Sequence, residues 1–301
     1  MTEKGIKAEQ NAILRRVVMV FQPFLVYYIA NIITAVILTA LVDAIIQDNH
    51  TAQAIDGTWK KILVEQKATV NAVIGGLSML SGILPLFSTF RSEIMTNNNG
   101  CNLKWAKEEE DSNRYRTAAI LKKIMLTITL AFTSSIAINI LFITLRLTES
   151  SETYHQTAAH QYSVIFPAGL FLYGIVSPFA EEVVFRGIIY NRLKKMFGDF
   201  QDKKRFRIIG PMVISALLFG FYHGNIVQML YGFLMGVLIA CVYEKGGRFL
   251  YAFLFHAAAN AAVYVITGNP FLYGHFITPC VGLMFAAISV LIVIFWRPAG
   301  N

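Results

Sequence analysis

Stretches of about twenty apolar residues recur along this chain, each long enough to cross a hydrocarbon layer. That leaves the backbone little choice. Inside a bilayer no water pairs with a bare N–H or C=O, and the α-helix satisfies those groups within one segment. Eight such runs can be drawn: Val17–Leu41, Val70–Phe90, Ile124–Leu145, Val164–Tyr190, Ile208–Tyr222, Ile226–Tyr243, Phe249–Ile266 and Phe276–Trp296. They predict an all-α, polytopic transmembrane helix bundle of about eight spans. The composition agrees, with only 15% charged residues in 301 and a mean hydropathy of +0.54, where a globular domain carries about 25% charged residues. The first run is too long for the apolar part of a cleavable signal peptide and lacks a small-residue cleavage site. In the fourth, Pro167 and Pro178 predict a kink or a split.

The net charge of +8 could suggest a nucleic-acid partner, but its placement does not. All but five of the 26 basic residues fall in the termini and in every second loop; the exceptions are Lys60, Lys61, Lys67, Arg146 and Arg186. The positive-inside rule then puts both termini of a multi-pass cell-membrane protein in the cytoplasm and accounts for the charge without nucleic acid. Cys101, Cys241 and Cys280 lack metal-ligand spacing and read as free thiols. The two longest loops, Asp43–Lys67 and Arg91–Lys123, do not resemble folded domains. The second holds a turn signal at Asn97–Gly100 and an acidic cluster at Glu108–Asp111. Small residues at Gly232 and Gly236, and at Ser78 and Gly82, predict close helix packing.

The adjacent acids Glu181 and Glu182 interrupt the fourth run. An ionised side chain at mid-bilayer costs roughly 2.5–3.5 kcal/mol on insertion scales, so two in succession need a reason. Glu182 and Arg186 are four apart, the acid leading, and should form an internal ion pair. Glu181 then points about 100° away, with no basic partner on its own helix, and is the candidate general base. His256 and Asn260 share one face of a helix kept slim by three alanines. Phe219, four residues before His223, can wall that imidazole. Counted from the basic ends at ~1.5 Å per residue, Glu181 lies ~13 Å deep, His256 ~12 Å, Asn260 ~18 Å and His223 ~20 Å. His223 therefore requires a turn at Gly224–Asn225 that dips into the membrane. The first three depths favour substrate entry from the cytoplasmic side.

Glu181-Glu182-Val-Val-Phe-Arg186 fits EExxxR, with Gly187 after the arginine; Phe219-Gly-Phe-Tyr-His223 fits FxxxH; His256-Ala-Ala-Ala-Asn260 fits HxxxN. In that order on successive helices, the stretch from Ser163 to Ile266 resembles the type II CAAX prenyl endopeptidase family and its bacterial CPBP (abortive-infection, bacteriocin-processing) relatives. The resemblance divides the chain into a three-span region, residues 1–162, and a peptidase-like core, residues 163–301, within one membrane domain. The site would lie among the fourth to seventh spans.

The resemblance implies an intramembrane endopeptidase acting on a membrane-associated or lipidated protein or peptide. Glu181 would activate a water, assisted by His223; His256 and Asn260 would hold the oxyanion; Glu182, Arg186 and Phe219 would support the site. No cofactor is then needed, although the family has also been described as zinc-dependent, with Glu181, His223 and His256 as the possible ligands. Two other readings stay open: a noncatalytic scaffold or immunity protein that binds a peptide or membrane partner, and a proton-coupled transporter. The transporter would be expected to have paired halves, and no inverted repeat is found.

Overall fold

The computed structural model describes residues 3–47, 62–105, 113–149, 151–198 and 206–296. Among these every regular element is a helix. In chain order they are α1 (Glu3–Gln47), α2 (Lys67–Ile83), α3 (Phe87–Trp105), α4 (Asn113–Thr144), α5 (Glu152–Tyr162), α6 (Phe166–Phe197), α7 (Phe206–Tyr222), α8 (Ile226–Gly246), α9 (Phe249–Gly268), α10 (Pro270–Phe276) and α11 (Pro279–Phe295). Six stretches are long and apolar enough to cross a membrane: Leu14–Gln47, Lys67–Thr96, Thr117–Thr144, α6, α8 and α9. The chain is thus a multi-pass membrane protein by helix length and composition. The other two predicted runs are α7, apolar but only 17 residues long, and the α10–α11 pair, bent by 71°. The last predicted run placed Phe276 in the final span; instead Thr278 caps a new helix that starts at Pro279.

Apolar side chains cover the outside as well as the inside. On α1, Val20, Pro23 and Tyr27 form a narrow buried stripe, while Leu25, Ile29, Ile33, Val36 and Ile37 are exposed. A belt of that kind suits a hydrocarbon solvent and would be an aggregation liability in water. Helix contacts follow small residues. A Cβ on Gly82 would stand 2.8 Å from the Tyr27 ring, which seats α1 on α2. A Cβ on Gly220 would stand 2.6 Å from the Met229 carbonyl oxygen, and one on Gly236 would stand 3.0 Å from Ala216. The Gly232–Gly236 spacing therefore serves the α7–α8 hairpin.

Helix α6 runs through the centre, and every residue from Ala180 to Asn191 is buried. It continues as one candidate span past both prolines, as alternating α- and π-helical segments. Pro167 sits in the first turn, where no amide donor is needed. Pro178 is absorbed by a preceding π-helical segment, Leu172–Val176; a second π-segment spans Val183–Tyr190. Another expectation is corrected at Asn97–Gly100, whose backbone is part of α3 rather than a turn. Extending a helix already nucleated at Phe87 costs less than the weak propensities of Asn and Gly suggest. The acidic cluster Glu108–Asp111 falls outside the described residues, as does the middle of the Asp43–Lys67 loop.

The bundle has chemically distinct ends. At one, Glu93 pairs with Arg192 (3.2 Å) and Lys195 (2.6 Å), and Glu244 pairs with Lys194 (2.7 Å). Lys245 there caps the carbonyls of Val293 and Trp296. At the other end the Ile165 amide donates to Thr69 Oγ1 (3.1 Å), and α5 lies across the start of α6.

Candidate active site

The two acids fall in the most buried part of α6, with Glu181 5% exposed and Glu182 fully covered. Glu182 Oε1 accepts from Arg186 Nη1 at 3.1 Å, the i, i+4 pair that the spacing predicts, and from His256 Nδ1 at 2.7 Å. Arg186 Nη2 donates to the Gly236 carbonyl (3.0 Å), and its guanidinium stacks 4.6 Å from the Phe219 ring centre. Glycine eases that approach, since a Cβ at Gly236 would stand 3.0 Å from Ala216 and 3.3 Å from Nη2, both tight contacts. Glu182 Oε2 and Arg186 Nε lack a partner among the described residues. One acid is therefore committed to structure: it neutralises Arg186 and orients His256.

Glu181 is set up differently. Oε1 accepts from Ser177 Oγ (2.7 Å), one turn earlier on α6, and Oε2 lies 3.7 Å from His256 Nε2. Its oxygens thus retain capacity to accept a proton or bind a water. His256 stands between the two carboxylates. With Nδ1–H donated to Glu182, Nε2 faces Glu181 and the cavity, as a lone pair in the neutral ring or as a second donor in the cation. Ser177 was not singled out from the sequence, although its place four residues before Glu181 was the available signal.

His223 is brought to the same cavity by the turn between α7 and α8, with Gly224 at φ 76° and Asn225 capping α8. Its Nδ1 pairs with the Phe219 carbonyl (2.8 Å), which makes Nδ1 the donor and leaves the Nε2 lone pair free. Phe219 touches three of the groups that matter. Its ring meets His223 edge-on at 4.9 Å and His256 at 5.5 Å, and it carries Arg186 on its face.

Asn260 is fixed by a consequence of Pro178. In the π-segment the Ser177 amide bonds back to the Leu172 carbonyl, so the next amide in that register would serve Tyr173. That position is Pro178, which has no N–H. The Tyr173 carbonyl is left for a side chain, and Asn260 Nδ2 donates to it at 3.1 Å. The second Nδ2 hydrogen remains available. Glu181, His223, His256 and Asn260 all line one cavity of about 280 Å³, together with Ser177 and Phe219. Among the described residues no three His, Cys, Asp or Glu side chains are arranged to hold a metal ion. Nδ1 of His223 and of His256 is engaged by a carbonyl and a carboxylate respectively, so Nε2 is the remaining nitrogen on each ring.

Residues 163–262 match the family model described as type II CAAX prenyl endopeptidase Rce1-like. All seven candidate residues lie within that third of the chain. Over 104 residues the chain is 29% identical to a Bacillus subtilis (strain 168) protein named "Putative membrane peptidase YdiL". The match covers 35% of this chain and 39% of that protein, so it spans well under half of the relative's length. No solved structure matches.

Proposed function

We propose, on the premise that the α6–α9 region is similar to a membrane endopeptidase family, that this chain hydrolyses a peptide bond within the membrane by a glutamate-activated water. The observation that carries the reading is the convergence of Glu181, His223, His256 and Asn260 on one cavity inside a bundle of membrane-spanning helices.

In this mechanism a water lies between Glu181 and the His223 Nε2 lone pair. Its oxygen attacks the substrate carbonyl carbon while one of its protons passes to Glu181. The negative charge that forms on the carbonyl oxygen meets the second Asn260 amide hydrogen and the Nε2–H of a protonated His256. Preorganised donors of this kind in a dry site supply several kcal/mol. Protonated His256 would complete a neutral set with Glu181, Glu182 and Arg186, which lowers the cost of burying four ionisable groups. Glu181 then passes its proton to the leaving nitrogen as the C–N bond breaks. The scissile bond must sit in a locally extended segment, because a helix keeps its carbonyls in hydrogen bonds. No step calls for a metal.

The basic end faces the cytoplasm in this reading, with both termini on that side of the cell membrane. The substrate is a protein or peptide held in or at the lipid. The test compares cells carrying wild-type protein with cells carrying Glu181→Gln at matched membrane levels, with new peptide termini catalogued by mass spectrometry. Termini that appear only with wild type are the expected result. Identical catalogues, with any phenotype kept by the variant, would instead support a noncatalytic scaffold or immunity protein that binds its partner in the same cavity.

A further inference from the structure

The cavity does not end at the reacting groups. Away from Glu181 it continues toward the end of the bundle opposite the Glu93–Lys195 and Lys194–Glu244 ion pairs. There its wall is made by α5, by Asn139 near the end of α4 and by Thr148 in the turn that follows it. On α5, Tyr154, Ala158 and Gln161 are half-buried, whereas Glu152, Thr153, His155 and Gln156 are exposed. Spacings of four and three put the half-buried residues on one helical face, and all three line the cavity.

Helix α5 is anchored rather than draped. Ser151 caps its N-terminus by accepting from the Tyr154 amide (3.2 Å). At its other end the Tyr162 ring stacks on Tyr264 at 5.5 Å and 14°, and Tyr264 stacks on Phe166 at 5.7 Å. Tyr264 is itself 3% exposed, pressed against Gly169, where a Cβ would meet its hydroxyl. The wall is therefore a preformed surface that a substrate must fit.

Its chemistry is one-sided. Among the described residues lining the cavity none is Lys or Arg, and Glu181 is the one carboxylate. Phenols and amides take the place of charge, among them Tyr154, Gln161, Gln228 and Tyr231. Burial raises the Tyr154 phenol above the ordinary tyrosine range and pushes that of Tyr162 up to about 12, so both stay neutral. A free C-terminal carboxylate a few residues beyond the scissile bond, lying along α5, would find phenols and amides but no lysine or arginine to pair with among the described lining residues. An uncharged extended segment would find ring faces for its aromatic side chains, and amides for its backbone and its own amide side chains.

Resting on the endopeptidase reading above, we propose that the cavity selects an internal, uncharged, extended segment bearing aromatic or amide side chains, and that the Tyr154–Ala158–Gln161 face of α5 does the selecting. Purified full-length protein in lipid nanodiscs would be given three sets of internally quenched fluorogenic peptides. The first set is neutral, rich in Tyr and Asn, and blocked at both ends. The second carries Asp beside the cut. The third ends in a free carboxylate three residues after it.

The first set should be cut about tenfold faster than the other two, the scale expected when a site leaves a charge unpaired. Gln161→Lys, a half-exposed substitution of similar length, should reduce that ratio to about twofold or reverse it. Gln161→Met, neutral and of similar size, should leave the order intact. Equal wild-type rates for all sets, preference for the carboxylate set, or a ratio unmoved by Gln161→Lys would overturn the proposal while the peptidase reading stands. Cleavage of no set by wild type, as with Glu181→Gln, would end both.

Discussion

Pro178 does its work through what it lacks. Without an amide hydrogen it cannot occupy the Tyr173 carbonyl, and that carbonyl holds Asn260. Replacing Pro178 with Ala restores a competing donor. We expect kcat to fall by about an order of magnitude with KM little changed, because a loosened oxyanion donor acts mainly on the transition state. A scaffold role for Pro178 would instead lower the yield of folded protein and leave kcat per folded molecule unaltered. Arg186 predicts the opposite kind of loss. Arg186→Met leaves Glu182 buried with His256 as its remaining partner, and removing one partner of a buried ion pair costs about 3–5 kcal/mol. The loss should appear as a lower Tm in detergent, with Glu182→Gln in the same chain recovering part of it. At this scale the sequence is informative about side chains and nearly silent about carbonyls. The spacings in Glu181–Arg186 and His256–Asn260 put the right groups on the right faces. The Tyr173 and Gly236 carbonyls that anchor two of them become visible only once the helical register of α6 and its distance from α8 are known.

Helix α5 marks where legibility was lost at the level of elements. Residues 146–162 read as a plain connection because they are too polar for a span. A helix signal was nevertheless present, in Ser151 before Glu152 and in the four-then-three spacing of Tyr154, Ala158 and Gln161. Depth arithmetic along single spans favoured substrate entry from the basic end, whereas the cavity wall extends to the opposite end, where α5 lies. This arrangement is testable by labelling. In a chain with Cys101, Cys241 and Cys280 replaced by Ser, Ala158→Cys should react with a membrane-impermeant maleimide added outside intact cells. Labelling only after the cells are opened would place α5 and the adjoining cavity wall on the cytoplasmic side.

Across the whole molecule, apolar run length and alternating loop charge were sufficient to read the all-α architecture, because each span must satisfy its own backbone and the two membrane faces differ in charge. What they could not convey is how the N-terminal spans meet the core. Helix α1 lies outside the segment that matches the endopeptidase family, yet its Tyr27 hydroxyl stands 3.2 Å from that of Tyr222, the residue before His223. The seven candidate residues are thus held by a bundle larger than the motif-bearing part. Intramolecular packing also accounts for the small-residue spacings at Gly232–Gly236 and Ser78–Gly82, which in other membrane helices mark dimer faces.

The π-segment at Val183–Tyr190 gives this chain a particular intolerance. A π-turn is an α-turn carrying one extra residue, so it behaves like an insertion that was never removed. Deleting a single residue there would yield a more regular α-helix, and by local propensity alone a better one. It would also swing everything on one side of the deletion by about 100° relative to the other. Glu181 and Glu182 could then no longer face the cavity and His256 while the Lys194 and Lys195 turn kept its hold on Glu244 and Glu93. Arg186 apart, length in this stretch is therefore constrained more tightly than residue identity, and related chains that keep the site should show substitutions at its other positions but no gap.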